Sequence, residues 1–459
     1  MAANPLDALV RHVATTVSED VPPAAVVAAK TFILDTFACG IAGSGVAESA
    51  RIHAAAAAWG AGDDARAWGR AGRLPAPSAA LVNAYQIHCL EFDCVHEGGV
   101  LHPMSALFAA AMAEAERQGR RGRAISGRDL IAAVAVGVDV SCNLALSSRA
   151  PMRFFRPASI GGFGATAASA RLRGFDASRT AAALGIMYGQ TSGTMQPHVE
   201  GSSLLGLQVG FAARSALVAT DLAAAGIDGP RNIITGPWGY LPLFEGEHDI
   251  GETWDSWGRV WRLTEIGHKP YPSGRLTHYA IEALQEMRGR LGFGAEDVEA
   301  VVCCVPPLPF RLVGRPDLPD PSPNYAKLCL AYVCATLLRR GTVAPEDFAP
   351  TALADAETHR LAARVSVEAD DSDDPNAFGP QTVTLRLKNG TVETRTVAYA
   401  IGDPRNPLPR DRQLAKFRWC WDVAASRLPR SRGEILLELL DDLEKVPDVT
   451  ALVDALTPA

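Results

Sequence analysis

The 459-residue chain has few aromatic side chains (7%) and only a moderate share of charged ones (21%). It also lacks a basic surplus, with 44 Lys and Arg against 51 Asp and Glu and a formal net charge of -7. Phosphate recognition draws on an excess of Lys and Arg, so no nucleic-acid partner is expected. The nine cysteines are odd in number, thinly spread and never spaced C-x-x-C. That pattern argues against a disulfide framework, a structural zinc centre or an iron–sulfur cluster, and it fits a reducing, cytoplasmic setting. Met1 to Arg11 contains Asp7 and no apolar stretch of signal-peptide length. Long hydrophobic runs are missing as well. Leu130–Val138 stops at Asp139, and Leu204–Gly226 carries Gln208, Arg214 and Asp221. Neither offers about 20 uninterrupted apolar residues, and no membrane partner is expected.

What the chain does have is a 48% hydrophobic share dominated by alanine. Small side chains of this kind favour closely packed helices. The length suggests roughly two to three domains. Residues 1–265 read as helix after helix: an apolar run from Val26 after Pro22-Pro23 that Gly40 stops, then Ser78–His88, Met104–Arg117, Gly127–Leu146, Gly164–Arg173, Ala181–Met187 and Leu204–Ala225. Residues 266–402 mix the two periodicities. His278–Arg290 and Tyr325–Arg339 read as helices, and Val298–Val305, Val365–Val367, Thr382–Leu387 and Thr391–Val397 as strands. Asn389-Gly390 turns the last two into a hairpin. Residues 403–459 become helical again and are expected to rejoin the first domain. The fold class is therefore mainly α, with a large all-helical domain and a smaller α+β lid. The acidic stretch Glu368–Asp374 reads as a solvated loop.

Four segments gather ionisable residues where packed helices would prefer apolar ones. His88–Pro103, HCLEFDCVHEGGVLHP, holds three histidines with Glu91, Asp93 and Glu97. Histidines and carboxylates tuned toward neutral pH suit general acid–base work, with a metal site as the rival and a capping loop as the plain alternative. The metal reading lacks a recognised ligand spacing, so no metal is expected. In Arg153–Ala165, RFFRPASIGGFGA, the glycines open a helix whose free N–H groups could hold an anion, or they simply allow close helix packing. In Gln196–Ser203, QPHVEGSS, Glu200 and Ser202 read as capping residues. In His268–His278, HKPYPSGRLTH, four potential cations beside two prolines suit a catalytic lysine or a carboxylate clamp, or else a plain hinge.

At these residues the sequence resembles the MmgE/PrpD family. The resemblance runs through KTFILDTFACGIAG (30–43), His88–Ser105, the glycines from Gly161, KPYPSGRLTHYA (269–280), YAKLCLAYV (325–333), GDPRNPL (402–408) and Lys416-Phe417. It implies a helical domain built from both chain ends, an inserted α+β lid, a cleft between them, a homodimer, and no metal, flavin or nicotinamide. It also implies lyase or epimerase chemistry on a small-molecule carboxylate. Carried over residue by residue, Asp93, His96, His102 and Lys269 form the proton-handling set. His102 or Lys269 would take the α-proton while Asp93 orients a histidine. Arg156 and Arg275 would grip carboxylates, with Ser273, His278 and Cys94 at the substrate. The chain departs from the family at Cys94, where many members have a second Asp, and at Phe155-Arg156, where many have His. It departs again at Leu205–Val209, where members usually read K-R-x-H-P. Fewer cations imply a substrate with fewer carboxylates or a bulkier apolar part, other than 2-methylcitrate or cis-aconitate. The expected activity is a cofactor-independent dehydration or decarboxylation, with proton-moving epimerisation as the alternative.

Overall fold

The computed structural model describes residues 4–426 and 428–458. Helix Pro23–Gly43 shows how sequence sets a boundary. Pro22 is extended, and Pro23 stands in the first turn, where its missing N–H costs nothing. The helix does not stop at Gly40 as the sequence suggests. A Cβ there would lie 2.5 Å from the Trp68 ring, so this glycine serves a close approach inside the helix. Helices Ala76–His88, Pro103–Arg120, Gly127–Leu146, Gly161–Arg173 and Leu204–Ala224 pack around one another with faces that are mostly alanine, glycine and leucine. The same core takes in Phe417 to Leu456, so the chain's last helices return to the first ones. A buried ion pair, Lys416 to Asp35 at 2.6 Å, fastens helix Arg410–Asp422 to helix Pro23–Gly43.

A second core spans Tyr271 to Ala400 and includes Val95, Val100 and Met152 from the helical part. Its sheet has four strands, β1 (Val298–Val305), β2 (Val365–Ala369), β3 (Gln381–Leu387) and β4 (Val392–Val397), in the order β2-β1-β3-β4. β1 and β2 are parallel and are joined by a crossover that includes helix Leu330–Arg340. β3 and β4 form the expected antiparallel hairpin, with Gln381 opposite Val397 and Gly390 at φ 88° in the turn. β1 alternates strongly enough to bury Val301, Cys303 and Val305. The mixed α+β lid on a mainly helical body is thus as the sequence reads, while the first 265 residues hold only isolated β-bridges among the described residues.

Three further details differ from the sequence reading. The helix expected over Tyr325–Arg339 is broken at Lys327–Cys329, because the Lys327 carbonyl accepts from Gly274 N and its ammonium reaches the Cys89 carbonyl at 3.0 Å. Helices at Pro23–Ser44 and Gly127–Leu146 are long and apolar enough to cross a membrane, yet 67% and 89% of those spans are buried inside the fold. Asp139, which appeared to interrupt the second span, is paired there with His12 at 3.0 Å. Finally, Gly161 does not open a free anion-binding helix start. Helix Arg156–Ser159 runs straight into it, and Phe163 N donates to the Ile160 carbonyl. The glycines serve packing instead: a Cβ on Gly164 would lie 2.1 Å from Ser141 Oγ and 2.6 Å from the Gly137 carbonyl. Gly164→Ala should therefore destabilise the fold by about 1–3 kcal/mol, read as a lower urea midpoint at unchanged m-value.

Candidate functional site

The loop between helices Ala76–His88 and Pro103–Arg120 carries the densest chemistry. Its start and end are set by buried helices, so its fourteen residues are pinned at both ends by the core. Glu91 and Val100 both sit at φ 52°, a left-handed conformation that costs a β-branched residue most. The surroundings hold that strain in place. The turn Glu97–Val100 closes through Val100 N to the Glu97 carbonyl, and His96 and Leu101 pair across it. His96 Nδ1 accepts from Gly99 N at 2.9 Å, which leaves Nε2–H to donate to Glu265 at 2.9 Å.

Asp93 is fully buried at the centre. It accepts from His88 Nδ1 at 3.1 Å and from Ser105 Oγ, and His102 Nδ1 stands 3.2 Å away. Burial alone would push this carboxyl up; the imidazoles of His102 and His88 outweigh burial and hold it well below the usual carboxylate range. His102 Nδ1–H also donates to the Cys94 carbonyl at 2.9 Å. With Nδ1 occupied twice, Nε2 is the atom left for chemistry, on a side chain 13% exposed. Burial, with Lys269 and His88 nearby, lowers the His102 imidazole below its ordinary value despite Asp93, so it stands neutral. Burial also acts to lower His88, but Asp93 and Glu91 prevail and raise it. His88, Asp93 and His102 offer ligand atoms within 4.8 Å of one another. A metal taken through His102 Nδ1 would displace its bond to the Cys94 carbonyl, and these groups already satisfy one another as a hydrogen-bonded triad.

Lys269 is fully buried and donates to Glu91 Oε2 at 2.8 Å and to the Glu91 carbonyl at 3.3 Å. Glu91, not Lys269, reaches the adjoining cavity. The two lie as a pair behind and within its wall, and Glu91 Oε1 is 3.4 Å from His88 Nε2, a charge contact without hydrogen-bond geometry. Glu91 is held down to about 2: burial raises it, and Lys269, His88 and His102 overcome that.

The cavity itself lies between the helical body and the lid and measures about 70 Å³. At about 10–15 Å³ per water this is room for about five to seven waters, the scale of a small organic acid. Its ionisable lining is Glu91, His102, His198 and Arg275. Val95, Phe155, Met195, Leu276, Leu312 and Phe378 make much of the rest, so the wall is predominantly apolar. A broader groove of about 840 Å³ shares Phe378 with it. Its arginines Arg149, Arg156 and Arg405 already face Asp249, Glu245 and Asp403, and it holds no base with an open nitrogen comparable to His102.

Several expected substrate contacts have other duties. Arg156 is not free to grip a substrate: it is buried, bonded to Glu245 at 2.8 Å and to the Gly99 carbonyl at 3.0 Å. Arg275 touches the cavity, but its guanidinium holds Glu97 at 2.6 Å and the carbonyls of His268, Ala400 and Ile401. His96 clamps the turn rather than joining the triad. Ser273 Oγ meets Thr277 Oγ1 at 2.8 Å, and His278 lies against Tyr271, away from the cavity lining. Burial, then Arg275 and Lys269, push His278 well below the ordinary histidine range. The Cys94 thiol is buried among Asp35, Asp93 and Lys416. Burial first, then the two carboxylates, push it well up, so its carbonyl rather than its sulfur serves the site.

Ser105 and the His198–Arg315 pair were missed in the sequence. The helix from Leu204 has Ser203 at its N-cap with no side-chain cap bond; Ser202 Oγ accepts from Leu204 N at 3.2 Å and Glu200 accepts from Gln196, so neither is a cap as the sequence suggests. At the positions where the family usually reads K-R-x-H-P, Leu205 is buried in the core and Gln208 bridges the Thr194 backbone N and carbonyl.

The buried ionisable groups make stability acid-sensitive. His198 is pushed down to about 3 by burial and Arg315, and His268 to about 4 chiefly by burial. A histidine whose folded value lies below its unfolded value binds its proton more readily in the unfolded chain, so acid favours unfolding. Their contribution is complete above 6.5 and is lost as pH falls toward 4 and below. Glu91 adds a loss in the same direction between 4.5 and about 2. The urea midpoint should therefore begin to fall below pH 6.5, before carboxylates titrate, and His268→Gln should flatten that upper stretch.

A family model described as the MmgE/PrpD N-terminal domain matches residues 7–253, and one described as the MmgE/PrpD C-terminal domain matches residues 271–444. The cis-aconitate decarboxylase of Mus musculus is 25% identical over 443 residues, covering 92% of this chain and 87% of that protein. The cis-aconitate decarboxylase of Aspergillus terreus is 25% identical over 460 residues, covering 96% and 93%. The human cis-aconitate decarboxylase is 24% identical over 440 residues, covering 93% and 89%.

Proposed function

The chain belongs to the MmgE/PrpD family, and from that premise we propose that it is a cofactor-independent lyase acting on a small carboxylate with an apolar part. The observation that carries this reading is His102, a neutral imidazole whose Nδ1–H is held by Asp93 and the Cys94 carbonyl while Nε2 is left for the cavity. In the proposed reaction Nε2 takes the proton α to the substrate carboxylate. Asp93 stabilises the imidazolium that forms. In dehydration, the β C–O bond then breaks and the imidazolium returns its proton to the departing hydroxide, which leaves as water. Decarboxylation takes no α-proton: the bond from the α-carbon to one carboxylate breaks, carbon dioxide departs, and the carbanion carbon receives a proton from His102 Nε2, which has drawn it from solvent. Lys269 acts through Glu91, as a positioning residue.

The relatives are named for cis-aconitate, but the proposed substrate of this chain is smaller in charge. Arg156, Arg275 and Lys269 are each engaged by a protein carboxylate, and the cavity wall is mainly apolar. A tricarboxylate would bring charges that these cations are not free to meet. Two-base epimerisation needs a second base across the reacting carbon, and its candidate Lys269 is buried against Glu91. Incubating alkyl-substituted malates, ethylmalonate, 2-methylcitrate and cis-aconitate with the protein in heavy water, followed by NMR, tests the reading. Deuterium entry and loss of water or carbon dioxide are expected with alkyl compounds. Exchange with the two tricarboxylates alone would refute it, and inversion without any loss would move the protein to the epimerases.

A further inference from the structure

We propose that His198 is a second substrate-binding donor of this site, offering Nε2–H to a carboxylate oxygen, with Arg315 of the lid as the positioning residue that fixes its tautomer. The inference rests on the reading of His102 as the base, and it identifies what would meet the substrate's charge. His198 lies in the short helix Gln196–Glu200, 6% exposed, and shares the cavity wall with Glu91 and His102. Arg315 Nη2 stands 2.7 Å from His198 Nδ1, and its Nη1 donates to the His198 carbonyl at 2.8 Å. A guanidinium can only donate, so Nδ1 must be the acceptor and the ring proton must sit on Nε2. That N–H has no hydrogen-bond acceptor among the described residues.

The electrostatics agree with the geometry. Burial and the Arg315 charge disfavour a second proton on the ring, which keeps His198 neutral. Unlike Arg156, Arg275 and Lys269, Arg315 has no carboxylate partner among the described residues; it bonds only His198 and the Leu312 carbonyl and lies over the Tyr325 ring. Its charge therefore polarises the imidazole rather than being cancelled beside it. A neutral imidazole N–H aimed at oxygen stabilises the charge that develops when an α-proton leaves. One such donor beside an apolar wall suits a small acid that sets one carboxylate on His198 and an alkyl group against Phe155 and Leu312.

The test uses full-length protein with histidines enriched in nitrogen-15, and ethylmalonate as the probe. Two-bond proton–nitrogen spectra should show His198 as the Nε2–H tautomer, without titration over about pH 5 to 8. Its Nε2–H signal should move on adding ethylmalonate, also in His102→Asn, which lacks the base. Arg315→Gln should mix the tautomers. His198→Asn, whose amide reaches only the Nδ1 position, should weaken ethylmalonate binding roughly 10- to 100-fold, and His198→Gln should recover part of it. An Nδ1–H tautomer, a titrating His198, unchanged binding in His198→Asn, or no binding at millimolar probe would each overturn the proposal. The spectra of the unsubstituted protein decide the tautomer even if a variant fails to fold. If they and the binding hold while no deuterium enters any compound, the lyase reading fails and this one stands.

Discussion

His102→Asn is expected to lower the turnover of any substrate by about 10²- to 10⁴-fold, the usual weight of a general base, with little change in stability. The side chain is at the cavity edge rather than deep in the core, and an asparagine amide can still donate to the Cys94 carbonyl. What disappears is Nε2. The effect should fall on kcat and kcat/KM together, because the base acts only as the transition state forms. In the unsubstituted enzyme the acid limb of kcat/KM should lie below pH 6.5, since His102 is lowered from that value by burial. An acid limb above 6.5, or retained turnover in His102→Asn, would remove His102 from the reaction.

The second large effect concerns the pair behind the wall. Lys269→Met strands the Glu91 carboxylate in a buried place and should cost about 3–5 kcal/mol of stability. Adding Glu91→Leu removes the stranded charge, and the double variant should recover most of the loss in urea unfolding. The two positions should therefore be strongly non-additive, whereas independent sites add within about 0.3–0.5 kcal/mol. Additive losses would mean that the 2.8 Å contact carries no energetic coupling and that Lys269 is held for another purpose.

How much of this was legible in the sequence depends on range. The helices and the Asn389-Gly390 hairpin are local patterns, and the structure follows them closely. The loop from His88 to His102 was visible as a density of ionisable groups between two helices, and it is where the Asp93–His102 contact forms. Partners far along the chain were not visible. Arg275 meets Glu97 across 178 positions, and Arg156 meets Glu245 across 89. A sequence shows that a cation is near a site but not that a carboxylate from elsewhere already holds it. The same blindness hid His198, whose tautomer depends on Arg315 117 residues away. Gly161 misled for a different reason: glycine before a helix serves anion binding and tight packing alike, and only the preceding helix Arg156–Ser159 decides between them.

The most direct test of the central claim is a crystal structure of the protein with ethylmalonate. The account predicts the acid in the small cavity, its α-carbon about 3–3.5 Å from His102 Nε2, a carboxylate oxygen on His198 Nε2 and the ethyl group against Phe155 and Leu312. Ethylmalonate seated instead in the broad groove on Arg149 and Arg405, with His102 untouched, would contradict it.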